Sequence, residues 1–335
     1  MPRNISGELQ IERQSDNEQR AGIDRMNRRE LCRLLVCNAL FRSFASAAGN
    51  PWKLGVITDQ VDLNLERVLS SFFPKYALRW SEIRYLRLDG RKRYVYAEAS
   101  AAEMRRVRQQ LDDAGVRLSV LDTAIYKITL PGTTAVGEAP AYLNGAQSPF
   151  PRQLENLRRA ADAAHVLGTD KIRIFTFRRV ADPQGVFHRV VEELQKALQV
   201  AKQNDVTLLV ENEYDCNVGT GAEIGRLFRS IPDRRLMHNW DPCNAYEMGE
   251  QPFPQVWRQI DHARIAHIHL KDASGKDWKP VGGGHIDFRG QFEALKKMNY
   301  SGTMSLETRY QGVGQDKYSS SVESMNGLID LLREV

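Results

Sequence analysis

The chain has 335 residues, 42% hydrophobic and 27% charged, an ordinary globular composition with length for one large domain or two small ones. Its net charge of +5 is thinly spread: eight arginines against six acids in residues 1–50 leave +3 for the other 285, too weak a field for a nucleic-acid partner. No stretch is apolar enough for long enough to span a bilayer, so a membrane partner is not expected either.

Residues 1–50 read as an N-terminal extension preceding a domain over 51–335. Residues 1–25 are polar and aperiodic, as a disordered lead-in would be. Next, Arg28 and Arg29 precede the moderately apolar LCRLLVCNALFRSF and an A-x-A site at Ala45-Ser46-Ala47, the pattern of a twin-arginine export signal. Arg33 and Arg42 interrupt the apolar run, and an amphipathic helix explains it nearly as well. The compartment stays open between periplasm and cytoplasm. Cysteines 32, 37, 216 and 243 form no CxxC pair, which excludes a zinc ribbon and a disulfide framework. Cys216 and Cys243 follow predicted strands and could approach each other in an oxidised protein, although free thiols are the simpler reading.

From residue 53 onward, β-rich runs alternate eight times with helical periodicity. The predicted strands are 53–58, 82–88, 117–123, 171–177, 206–211, 235–241, 264–270 and 303–307. Between the fourth and fifth, Val186, Val190, Leu194, Leu198 and Ala201 recur at helical spacing and give one apolar face. Eight strand–helix units are the number that closes a (β/α)8 barrel. An open doubly wound sheet is the alternative, but no glycine-rich loop follows the first strand. The connection over 124–150 is the longest loop, and 272–286, with GGGH at 282–285, is a second; both are expected at the rim of the site.

Predicted strands five to eight end in VENE, NWDP, HIHLKD and SLETR. In a barrel, such ends converge on one mouth, and alternate residues share a direction. Glu211, Asp241, His269 and Glu307 are therefore expected around a common centre. Three carboxylates there would repel one another into protonation unless a cation joined them. Oxygen ligands with one imidazole suit Mn²⁺, Mg²⁺, Co²⁺ or Zn²⁺ without choosing among them. A strand-end acid is also a common helix cap, and His267 shares the parity of His269. Lys271 follows on the same parity, and Glu213 and Arg309 lie two residues beyond the two glutamates, either in the pocket or on a solvated rim.

The ordered series ENE (211–213), WDPCNA (240–245), HIHLKD (267–272), GGGHIDF (282–288) and SLE (305–307) resembles the xylose-isomerase-like barrel family, the sugar phosphate isomerase/epimerase group, over residues 53–333. The resemblance implies one divalent metal on Glu211, Asp241, His269 and Glu307. It implies Glu211 and Glu307 as proton carriers, Lys271 as a charge stabiliser, and Asn244, His267, Glu213 and Arg309 toward a small carbohydrate. It also implies an enediolate isomerase or epimerase and, from family habit, a homo-oligomer. Two departures weaken a plain ketose 3-epimerase: Asn244 and Asn217 stand where those enzymes carry a histidine and a second glutamate. A carbon–oxygen lyase on a keto-sugar or cyclitol, sharing the first proton abstraction, and a non-catalytic carbohydrate-binding protein remain as alternatives. The family's three-zinc apurinic endonucleases need more histidines than the seven here.

Overall fold

The computed structural model describes residues 52–137 and 148–335. The paired arginines, Cys32, Cys37 and residues 138–147 of the long loop lie outside the described residues. Eight parallel strands form a closed barrel: β1 Lys53–Ile57, β2 Trp80–Ile83, β3 Arg117–Asp122, β4 Lys171–Ile174, β5 Thr207–Glu211, β6 Leu236–Trp240, β7 Ile265–Leu270 and β8 Thr303–Leu306. Each strand pairs with its sequence neighbours, and β1 closes the ring by pairing with β8, Lys53 opposite Thr303. Gly55 permits the β1–β2 approach, since a Cβ there would stand 2.4 Å from the Trp80 carbonyl oxygen.

The longer helices are α1 Ala101–Asp113, α2 Gln153–Leu167, α3 Pro183–Gln203, α4 Gly221–Ser230, α5 Pro242–Glu247, α6 Phe288–Lys297 and α7 Lys317–Arg333. Sequence explains where several begin. Ser100 with Glu103, and Thr220 with Glu223, form capping boxes that satisfy the first free N–H groups of α1 and α4. The α3 stripe buries Val190, Leu194, Leu198 and Ala201. None of the helices among the described residues is long and apolar enough to cross a membrane. Cys216 and Cys243 are buried free thiols.

One predicted strand needs correction. The run 82–88 is not a single strand: the barrel strand is Trp80–Ile83, and Tyr85–Leu88 pairs antiparallel with Arg91–Tyr94 in a hairpin outside the barrel. Asp89 and Gly90 both have positive φ, at 48° and 76°, the backbone that a two-residue hairpin turn requires.

Outward strand residues pack on the helices. The Trp240 indole N–H donates to Gln291 of α6 at 3.0 Å. His238 lies 5.6 Å, ring centre to ring centre, from both Phe228 and Trp240, with no hydrogen-bond partner for either nitrogen among the described residues. Burial pushes its imidazole down to about 3, against a weak opposing pull from Glu211. The unfolded chain takes up this proton near pH 6.5 and the folded chain does not, so stability present above 6.5 is lost as pH falls toward 3. The slope is about 1.4 kcal/mol per pH unit. His238→Phe should therefore match or exceed wild-type stability at pH 7 and exceed it by about 2 kcal/mol at pH 5. Urea unfolding at the two pH values checks this; parallel losses in both proteins would clear His238 of the effect.

Candidate metal centre

Inside the barrel, the strands carry charge where hydrocarbon would be easier to bury. Glu211 ends β5, Asp241 follows β6, His269 lies on β7 and Glu307 follows β8. Register levels these ends: Ser305 pairs with His269, and Asn239 with both Glu211 and His267. One ligand atom from each of the four lies within 4.8 Å of the others, and all four residues are buried. Asp241 also serves as the cap of α5, its Oδ1 accepting the Asn244 N–H at 3.0 Å.

Orientation within the cluster is specific. His269 Nδ1 stands 3.3 Å from Glu211 Oε1, 3.6 Å from Glu307 Oε2 and 3.8 Å from Asp241 Oδ2. Its Nε2 is held 2.9 Å from Glu82 Oε1, which places Nδ1 toward the three carboxylates. Lys271 turns inward, with Nζ 2.7 Å from Asp241 Oδ2 and 3.0 Å from Glu307 Oε2. Glu211 Oε2 meets Arg173 Nη1 at 2.7 Å, and Arg173 Nε stands 3.1 Å from Asp122. On the other flank, Arg84 Nη1 lies 3.6 Å from Glu307 and its Nη2 3.0 Å from Asp59.

Burial alone would raise every acid here, and the neighbouring cations decide which stay charged. Arg173, then His269, outweigh burial and hold Glu211 well below the ordinary carboxylate range. Glu307 is lowered in the same way, by Lys271 first and His269 second. Asp241 goes up, because burial and the charges of Glu211 and Glu307 exceed the help from Lys271. Burial works against charge on Lys271 and His269, but the surrounding carboxylates raise both well above their usual values.

The other residues expected at the site divide. Glu213 and Arg309 line the cleft above the cluster, together with Lys271 and Glu307. Asn244 donates to Glu211 Oε1 at 3.1 Å. His267 is not brought to the cleft: it is wholly buried, with Nδ1 2.6 Å from Thr303 Oγ1 and Nε2 2.8 Å from Glu82 Oε2. Sequence reading missed Glu82, Arg84, Asp122, Lys127 and Arg173. Lys127 comes from the long loop and sets its ammonium 2.6 Å from Glu213 Oε2. Alternation along WSEIR and KIRIF was the available signal, since it puts Glu82, Arg84 and Arg173 on the inward parity.

The donor set fits a divalent cation. Three carboxylates and an imidazole nitrogen, buried and mutually within 4.8 Å, approach the span set by bonds of about 2.0–2.2 Å to one centre. Burial, with the charges of Glu211 and Glu307, raises Asp241, and a divalent cation would supply positive charge that favours its ionised form. Glu82, His267 and His269 form another close group, but their 2.8 and 2.9 Å contacts are hydrogen bonds already made.

Comparison with known proteins agrees with this architecture. No curated protein matches the chain in sequence. Among solved structures, the IOLI protein with a bound zinc atom aligns at TM-score 0.65 and 14% identity, over 84% of this chain and 98% of that one. An L-ribulose 3-epimerase aligns at 0.62 and 15%, over 84% and 94%. AsbF of Bacillus anthracis, described as a probable 3-DHS dehydratase, aligns at 0.62 and 15%, over 81% and 97%. At such identities these likenesses establish the fold. The family model described as the xylose isomerase-like TIM barrel matches residues 82–331, three quarters of the sequence, and the chain belongs to that family.

Proposed function

We propose that the chain is a divalent-metal-dependent enzyme that removes a proton beside a carbonyl in a small carbohydrate, as an isomerase or epimerase does. The observation that carries this reading is the buried cluster of Glu211, Asp241, His269 and Glu307, with the Lys271 ammonium among the carboxylates. These four residues would hold the metal; when bound, it supplies Lewis-acid stabilisation of charge developing on the carbonyl oxygen. Glu307 and Glu211 approach the cleft from β8 and β5, and Glu307 is the one that lines it, so a carboxylate is available to take the proton. Lys271 places a second positive charge and an N–H donor beside Glu307, where an oxyanion would gain most. Glu213, held by Lys127, offers the sugar hydroxyls a fixed acceptor.

A lyase is the second reading, and two side chains favour it over a plain ketose 3-epimerase. Asn244 points its amide at Glu211, and Asn217 directs its own to the backbone carbonyls of residues 176–178 while accepting the Val180 N–H. Neither offers a substrate the imidazole or carboxylate that those epimerases carry at these positions. Abstraction of the same proton followed by loss of a β-hydroxyl would complete an elimination.

Elemental analysis is the first test. About one divalent ion per chain is expected in wild type and none in His269→Ala/Asp241→Asn. Solvent-deuterium exchange into ketoses, keto-sugars and keto-cyclitols then tests the chemistry, and a new enone absorbance separates elimination from epimerisation. A metal-loaded protein that exchanges no C–H across that panel would make the carbohydrate-binding reading the better one.

A further inference from the structure

Beside the metal cleft, a second hollow of about 270 Å³ opens between the segments that follow β1, β2 and β8. The two share Arg84, Tyr85, Trp278 and Arg309 in their linings. At 270 Å³ the hollow is smaller than the roughly 300 Å³ at which ligand pockets begin, so it suits part of a ligand rather than the whole of one. Its charge is one-sided. Arg84, Lys92, Arg309 and Lys317 line it, and among the described residues of the lining Asp59 is the one acid, already held by Arg84 through contacts of 3.3 and 3.0 Å.

The walls distinguish this group from scattered surface lysines. Lys92 Nζ lies 4.1 Å from the centre of the Tyr85 ring, and the Arg309 guanidinium 5.4 Å from that of Trp278. The aromatic faces thus hold Lys92 and Arg309 in place at the wall of the hollow. Lys92 and Lys317 share this concave space with the two arginines, and an anion placed among them lowers their mutual repulsion.

We infer that this hollow is an anion subsite, and that the carbohydrate acted on at the metal carries a carboxylate or a phosphate ester placed over Arg84, Lys92, Arg309 and Lys317. Only the link to a reacting sugar rests on the proposed function; the anion subsite itself does not. Glu307 lines the cleft, bonded to Lys271, and lies 3.6 Å from Arg84, which lines both spaces. A substrate with its reacting carbon at Glu307 therefore extends its tail toward the cations.

Calorimetric binding of glucuronate, glucose 6-phosphate, inorganic phosphate and glucose to the full chain tests the subsite, with Lys92→Gln/Lys317→Gln alongside. Both lysines are exposed and outside the metal cluster, so fold and metal content should not change. At least one charged sugar should bind about tenfold or more tightly than glucose, with the preference falling as salt rises and lost in the double variant. Tighter glucuronate names a carboxylate as the anion, and tighter glucose 6-phosphate names a phosphate ester. Equal binding of charged and neutral sugars, undiminished preference in the variant, or binding of none of the four would overturn the subsite. Metal content judges the proposed function separately, so failure of one leaves the other standing.

Discussion

Glu307→Gln is expected to leave the fold in place, weaken the metal and reduce turnover by about 10²–10⁴-fold, the usual worth of a positioned general base. Gln keeps the size and the acceptor oxygen of Glu but cannot take a proton. The cations that Glu307 neutralises retain other partners: Lys271 keeps Asp241 at 2.7 Å, and Arg84 keeps Asp59 at 3.0 Å. No buried charge is orphaned, so the loss should be chemical. Turnover on whichever sugar shows exchange, metal content and a thermal melt, measured on one preparation, separate the effects. Near-normal turnover at full metal loading would remove Glu307 from proton transfer; a collapsed melt would make it structural.

Strand order and the four clustered side chains could be read in the sequence because both depend on local pattern. Eight β-rich runs alternate with helical periodicity, and a parallel barrel levels its strand ends, so the acids in VENE, NWDP and SLE have one place to meet. What escaped is what the pattern disguises. Glu82 and Arg173 sit inside strands, where an alternating charge reads as solvent-facing; here that parity faces the barrel interior. The β-rich composition continued through Tyr85–Leu88 and masked the break between barrel strand and hairpin, although the alternation changes phase between Arg84 and Arg87. Asp89-Gly90 could have marked it. Lys127 comes from a loop with no period, and only the folded chain sets it against Glu213. His267 and His269 share parity and cannot be ranked by it. Depth separates them: one ring nitrogen of His269 faces three carboxylates, whereas His267 has both nitrogens bonded to Thr303 and Glu82.

The missed arginine carries the second large effect. Arg173→Met is expected to destabilise the protein by about 3–5 kcal/mol, the cost of breaking a buried ion pair from one side. Its guanidinium holds Asp122 at 3.1 Å and Glu211 at 2.7 Å, with all three side chains essentially excluded from water. Burial already pushes Asp122 well above the normal carboxylate range even with Arg173 opposing it, and without Arg173 two carboxylates lose their main counter-charge. Met fills the stem's volume, so the loss isolates charge from packing. Adding Asp122→Leu removes the abandoned partner and should restore a substantial part of the stability, because absence of both charges costs less than one left alone. A divalent ion at Glu211 replaces some of the missing positive charge, so metal should raise the unfolding midpoint of Arg173→Met at least as much as that of wild type, provided its affinity is kept. Urea unfolding of the three proteins with and without manganese tests each step. If Arg173→Met lies within about 1 kcal/mol of wild type, Arg173 does not neutralise the barrel interior, and Glu211 depends on His269, Lys271 and the metal alone.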